Sequence, residues 1–288
     1  MSGGGPERLS VHMTVLSELH VYPVKGCGGI PLEIATLGQR GVPGDRGWMV
    51  VDEAGRFISQ RTDPRLARIR TRLEPERLVL EAPGLSPLAL PRVSLGPRVQ
   101  VTVWDDSGAA VDAGDAAAAW LGIHLGRPAR LVRMDGAFDR RPNPTLAPEG
   151  ALSFADAFPV LVISRASLDD LSARLTAPIR MNRFRPNLVL DGCGPFEEDR
   201  WRRIRMGDAI LRLVKPCTRC VATTVEQETA EGGHEPLRTL ATFRRWAGGG
   251  VIFGQNAVVE VAGAVRVGAV VEVLELGEPP ALERVSPS

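Results

Sequence analysis

Two cysteines three residues apart, Cys217 and Cys220 in "LVKPCTRCVATTVE", are flanked by the cations Lys215 and Arg219. Cations beside a thiol favour the thiolate, and a thiolate is a nucleophile, a sulfur carrier or a ligand for a soft metal. A structural zinc site takes four Cys or His ligands in paired spacings. Here Cys27, Cys193 and the histidines at 12, 20, 124 and 234 are scattered along the chain. A thioredoxin-type dithiol opens a helix, whose dipole lowers the thiol pKa, whereas the β-branched run "CVATTVE" reads as extended chain with Cys220 at a strand start. Two thiols that merely fill core space are a further reading, because free Cys is among the most buried residue types; Lys215 and Arg219 count against it. A single thiolate also suffices for a metal whose other ligands arrive with a cofactor.

The elements that must position these sulfurs follow from patterning. The first half, from Thr14 to about Pro91, is a succession of short β-branched runs, "TVLSELHVYPV", "GWMVVD", "GRFISQR" and "RLVLEA", separated by turn formers. It predicts a β-rich lobe. A helix is expected in "VDAGDAAAAWLGIHLG", capped by Asp112 with Asp115 three residues on, ending at Gly126 and packing Trp120 and Leu121 inward. The Pro- and Gly-punctuated "GAFDRRPNPTLAPEG" reads as a link between lobes or a loop over the site. The second half opens with the apolar strand "FPVLVIS" and a helix in "RASLDDLSARL", with Ser167 and Asp170 at capping-box spacing. "NLVLDGCG" and "DAILRLVKPC" follow as strands, "EPLRTLATFRRW" as a helix with Pro236 in its first turn, and the last apolar stretch as strands of a barrel-like sheet. Residues 1–13 and 277–288, rich in Gly, Pro, Ser and Glu, are expected to be disordered tails.

Composition excludes several function classes. With 35 basic against 34 acidic residues the net charge is +1, which argues against a nucleic-acid partner or an anionic membrane surface, so any cationic site must be local. Four cysteines in 288 residues are too few for a disulfide scaffold, and the N-terminus has no apolar signal core. The apolar runs are broken well short of the roughly 20 residues of a membrane helix. The expectation is a protein of the reduced cytoplasm, with no membrane and no nucleic acid among its partners.

Seven segments, "YPVKGCGGI", "GDRGWMVVD", "SQRTDPRLARI", "SFADAFPVLVISRASL", "NRFRPNLVLDGCGPFEEDRW", "KPCTRCVATTVEQETAEGGHEPLRTL" and "FGQNAVVE", together resemble the MOSC family, the fold of the molybdenum cofactor sulfurase C-terminal domain. More closely, the chain is similar to the MOSC-N plus MOSC proteins of the amidoxime-reducing type, in order from about Val15 to Leu276. The resemblance implies a mixed α/β, β-rich fold, with a MOSC-N lobe over 14–135 and a MOSC β-barrel-like lobe with flanking helices over 136–276.

The resemblance further implies a molybdenum-pyranopterin cofactor with one protein cysteine ligand, and reduction of N-hydroxylated small molecules. By position, the metal ligand and catalytic cysteine falls on Cys220, not on Cys217. The cofactor contacts fall on Lys25, Gly26, Arg46, Asp156, Arg185 and Asn187, with Gly26 standing where several relatives carry serine. The pterin phosphate calls for charge-assisted donors, which Arg supplies as a fork and Lys as a point charge. Gly26, Gly28 and Gly29 would let backbone approach the cofactor without a Cβ. Electrons must come from a separate flavin or iron-sulfur carrier. One cysteine committed to molybdenum leaves too few for a [2Fe–2S] site, and no GxGxxG opens a strand-helix unit. A sulfur-carrier or cofactor-handling module with a persulfide on Cys220 is the alternative, since a cation-flanked accessible thiolate serves both uses.

Overall fold

Strands buried on both faces read as unbroken apolar runs, and two such runs organise the chain. In Val160–Ser164, Val162 enters one core with Leu16, Leu188 and Trp201, while its neighbour Ile163 enters another with Leu168, Leu171 and Phe184. In Trp48–Val51, Trp48 and Val50 pack with Trp120 and Leu121, and Met49 and Val51 with Val101, Phe138 and Phe154. Each strand is therefore the shared wall of two cores. The structure, a computed structural model, describes residues 13–93 and 96–283. Residues 1–12 and 284–288, parts of the expected tails, lie outside the described residues.

Among the described residues the main sheet runs in the order Val271–Leu276, Trp201–Met206, Ala209–Thr218, Ile252–Val261, Val160–Ser164, Leu188–Asp191, Val15–Val21 and Ile30–Leu32. Its ends meet, because Val15 bridges Val270, and the backbone N–H groups of Leu16 and Val271 donate to Ala269 and Thr14 at 2.9 and 2.8 Å. That contact curls the sheet into the expected barrel, filled by Leu16, Leu19, Val21, Trp201, Ile204 and Leu211. A bulge between Leu16 and Glu18 explains why inward residues of the first strand are three apart before the period of two resumes. A second sheet, Trp48–Val51, Arg130–Arg133, Asp106–Asp112 and Arg98–Val103, carries the first half of the chain, beside a three-stranded sheet, Arg70–Leu73, Arg77–Glu81 and Leu88–Pro91.

The first half does not keep to itself. Val15–Val21 completes the main sheet against Leu188–Asp191, and Ile34–Leu37 pairs with Gly263–Arg266 in a separate two-stranded sheet, so residues assigned to the N-terminal lobe pair with strands of the second half.

Local expectations hold unevenly. The helix Asp115–Leu125 ends at Gly126 in the left-handed conformation (φ 59°), and buries Trp120 and Leu121. Its N-cap is Gly114 and not Asp112; Asp112 accepts from the Gly114 N–H at 2.7 Å and pairs with Arg130. The next helix, Arg165–Ala173, starts earlier than its Ser167–Asp170 spacing suggested: Ser164 caps it, accepting from the Ser167 N–H at 3.1 Å. We expect Ser164→Ala to cost about 1 kcal/mol in a urea titration, in the usual range for loss of a serine cap. The expected helix after Pro236 shrinks to Leu237–Leu240. Within residues 277–283, expected to be disordered, Ala281–Glu283 run along Arg245–Ala247, with Ala247 and Glu283 N–H groups donating to Ala281 and Arg245 at 2.9 and 2.8 Å. Backbone pairing at an open edge needs no apolar side chains, which is why composition did not foretell it. No helix of the described residues is long and apolar enough to cross a membrane.

Candidate functional site

Strand ends from both halves of the chain converge on one cavity of about 530 Å³. Lys25, Gly26, Arg46, Asp156, Arg185, Asn187 and Cys220 all line it, so the structure brings the whole expected set together.

Lys25 follows the first strand; its backbone N–H donates to Trp48 at 2.8 Å and its ammonium to the Phe154 carbonyl at 2.8 Å and to Asp156. Burial holds the ammonium below its ordinary pKa, an effect that Asp156 partly offsets. Burial would raise the Asp156 carboxyl, but Lys25, the Trp104 N–H at 3.0 Å and Arg46 overcome it and hold the group below the carboxylate range. Protein surrounds Asp156 on most sides, yet 67% of its side chain is open to the cavity, so solvent screens the pair.

Arg46 and Arg185 approach the ring of Tyr22, with guanidinium carbons 4.3 and 4.4 Å from its centroid. Both have positive φ, 46° and 58°, a conformation that side chains with a Cβ rarely adopt and that gathers at functional sites. Arg46 is held by Asp45 at 2.6 Å, by the Asn187 carbonyl oxygen at 3.3 Å and by the Arg185 carbonyl at 3.2 Å. The adjacent Asp45–Arg46 pair is buried, Asp45 being 3% exposed. Arg185 donates through Nη1 to the Cys27 carbonyl at 2.5 Å, and its buried Nη2 has no partner among the described residues. Burial, then the nearby Arg46, push it down to about 10, which leaves it charged at neutral pH. Burial also pushes Tyr22 and Cys27 up to about 12, so neither serves as a base.

Asn187 lines the cavity with its polar atoms already engaged by the protein. Its amide donates to His20 O at 3.2 Å and Asp45 at 3.1 Å, and its oxygen accepts from Leu161 N at 3.2 Å and from Arg46. With its donors and acceptor used, it positions Arg46 and Asp45. Gly26 has φ +84° and its carbonyl accepts from Gln60 at 2.7 Å. Gly28 and Gly29 do not line the cavity: a Cβ at Gly28 would lie 3.2 Å from Ile69 O, and one at Gly29 2.5 Å from the Tyr22 ring. The glycine run thus serves packing, and Gly29 admits the ring that carries both guanidiniums.

Cys220 is exposed and extended (φ −121°, ψ 176°), but it does not start a strand. Ala209–Thr218 ends before it, and Val221–Thr224 is a 3-10 turn for which Cys220 is the N-cap residue, its carbonyl accepting from Thr223 N–H and Oγ1 at 3.0 and 2.9 Å. The threonines that favour extended chain close this turn through their hydroxyls. Cys217, half-buried, accepts from Arg219 Nη1 at 3.0 Å. All four cysteines are free thiols, and among the described residues no three Cys, His, Asp or Glu side chains gather as a metal cluster.

Seven cations line the cavity against two carboxylates, Asp105 and Asp156. Of these cations Arg61, Arg185, Lys215 and Arg219 have no acidic partner among the described residues. A buried guanidinium with a spare N–H, in a cavity of unbalanced positive charge, suits an anionic group such as a phosphate. The donor set therefore fits a phosphate-bearing cofactor with a soft metal at Cys220.

A second cavity of about 540 Å³, lined by Arg219, Val221, His234, Leu237 and Arg238, lies beside the Val221–Thr224 turn; it shares Arg219 with the first cavity but holds none of the expected site residues. Sequence reasoning missed Trp104 at a hairpin tip and Arg140, which is 2% exposed and donates to Ser153 O and Ala155 O at 2.6 and 2.7 Å, holding the segment before Asp156. A lone basic residue in a Pro-rich loop has no period to mark it; the two-residue hairpin spacing around Trp104 was the one available signal.

The MOSC N-terminal beta barrel domain matches residues 13–128, and the MOSC domain matches residues 149–272. Mitochondrial amidoxime reducing component 2 of Rattus norvegicus is 36% identical over 275 residues, covering 88% of this chain and 81% of that one. Mitochondrial amidoxime-reducing component 1 of Homo sapiens is 33% identical over 282 residues, covering 91% and 83%. Molybdenum cofactor sulfurase of Oryza sativa subsp. japonica is 30% identical over 271 residues, 83% of this chain but 32% of that one. With both domains matched in order and 33–36% identity to amidoxime-reducing components over most of both lengths, the chain belongs to the MOSC family, in the group that joins a MOSC-N to a MOSC domain.

Proposed function

We propose that this protein is a molybdenum-cofactor-dependent oxidoreductase that reduces N-hydroxylated compounds, amidoximes and hydroxylamines among them, to the amidine or amine. The reaction consumes two electrons and two protons, breaks the N–O bond and releases water. The observation that carries the reading is the meeting of Cys220 with Lys25, Arg46 and Arg185 on one cavity, from segments far apart in sequence. The names of relatives as amidoxime-reducing components support it.

Cys220 would hold the metal, and Arg185, Arg46 and Lys25 the pterin phosphate. The bound group supplies two-electron exchange at the metal. What the chain contributes is placement. Asp45 and Asn187 fix the Arg46 guanidinium, the Cys27 carbonyl leaves one Arg185 N–H to turn to an anion, and Arg140 holds the backbone that presents Asp156 to Lys25. Lobes of 14–135 and 136–276 would then meet at the cofactor, and the four free thiols suit a reducing, cytoplasm-like compartment.

Electrons would reach the site from a separate flavin or iron-sulfur protein. Purified, cofactor-loaded protein is expected to reduce an amidoxime with reduced viologen, and to turn over at background rate with NADH alone. NADH-driven turnover by the homogeneous protein would overturn the separate-carrier reading. Elemental analysis with pterin detection, on protein from a cofactor-competent host, tests the whole proposal: stoichiometric molybdenum supports it, and zinc or no metal refutes it. The exposure of Cys220 also favours a second reading, a persulfide-bearing sulfur carrier, which mass analysis for an added sulfur on Cys220 distinguishes.

A further inference from the structure

The hairpin Arg98–Val103 to Asp106–Asp112 pairs Val103 with Asp106, which leaves a two-residue turn, Trp104–Asp105. Such turns select residues that accept positive φ, Asn and Gly above all. This chain places its bulkiest residue type there, with φ 56°. A residue that strains a turn is kept for its side chain.

That side chain reaches the cavity. The indole N–H donates to Asp156 at 3.0 Å, the Phe57 ring stands 5.0 Å away, and the Arg61 guanidinium lies 4.2 Å from the ring centroid. Three contacts still leave Trp104 41% exposed, whereas the other aromatic residues of the cavity wall, Phe158 and Phe184, are 7% and 1% exposed and belong to cores. Trp104 is therefore the large aromatic surface that the cavity offers to a ligand. The Arg61 guanidinium, without a hydrogen-bond or ion-pair partner among the described residues, adds a planar cation to the same wall.

We infer that Trp104 is a specificity-determining residue that favours flat, conjugated N-hydroxylated substrates, aromatic amidoximes or N-hydroxylated heteroaromatic bases, over aliphatic ones. This rests on the reductase reading. A conjugated amidine plane stacks on an indole at an offset or edge, and an sp3 aliphatic chain has no such face. The preference is expressed in binding, because the ring lies on the wall and forms no bond in the reaction.

Trp104→Asn tests it, since asparagine suits the turn and removes the ring. The expected result is a melting temperature equal to or above the parent's, unchanged molybdenum and pterin content, and a fall of about three- to tenfold in the aromatic-over-aliphatic kcat/KM ratio, carried by KM. Trp104→Phe, which keeps a ring but loses the N–H, is expected to hold that ratio within about twofold. An unchanged ratio in Trp104→Asn, or loss of pterin from it, would overturn the inference, the latter by making Trp104 a cofactor contact. Calorimetric binding of benzamidine against acetamidine makes the same comparison without turnover. If the parent protein holds no molybdenum the reductase reading fails, while the amidine binding ratio still decides whether Trp104 prefers flat ligands.

Discussion

Cys220→Ala is expected to abolish molybdenum retention and to lower N-hydroxy reductase activity at least about a hundredfold, because removing even the outer partner of a metal ligand costs about 10- to 100-fold. Cys217→Ala is expected to keep both within about threefold. The two thiols differ in surroundings. Cys220 is exposed on the cavity at the head of the Val221–Thr224 turn, while Cys217 is half-buried and occupied by Arg219 at 3.0 Å. Because Cys220 is exposed and its carbonyl, not its sulfur, holds the turn, the alanine variant should fold and melt near the parent temperature. Metal content measured alongside the melting curve thus separates lost ligation from lost structure. Equal molybdenum loss in both variants would sink the single-ligand assignment, and loss confined to Cys217→Ala would reverse it.

Arg185→Lys is expected to lower cofactor retention about 10- to 100-fold, read as pterin released on denaturation per mole of purified protein. The guanidinium spans two tasks at once, one N–H on the Cys27 carbonyl at 2.5 Å and another, buried and unpartnered, left for an anion. A lysine ammonium is a point charge on a flexible stem and cannot serve both. It also loses the planar contact with Tyr22, 4.4 Å from the ring. The backbone at Arg185 remains strained in the lysine variant, so any change in melting temperature reports the side chain alone. Full pterin content in Arg185→Lys would remove Arg185 from the phosphate site.

Much of the architecture was legible without coordinates. The apolar run "FPVLVIS" and the alternating runs of the first half appear as strands because their side chains must enter cores on one or both faces, whatever those cores contain. The alanine-rich helix stops where Gly126 can turn left-handed. The resemblance to the MOSC family, and not residue type alone, singled out Cys220, Lys25, Arg46 and Arg185 as candidates.

Tertiary structure alone decided what those residues touch. Lys25 meets Asp156 across 131 positions, and Arg185 meets Cys27 O across 158. No local period encodes such a pairing, which depends on the barrel closing through Val15 and on the strand ends it gathers. The same fold spends the Asn187 amide on His20 O, Asp45 and Arg46 and makes Gly29 a seat for Tyr22. It brought Trp104 to the cavity and Arg140 beneath the segment before Asp156. Secondary structure follows from how each residue meets water and its near neighbours, which the sequence states directly. The role of a polar side chain follows from which distant donors and acceptors remain unspent once the chain has closed, and that is a property of the whole fold.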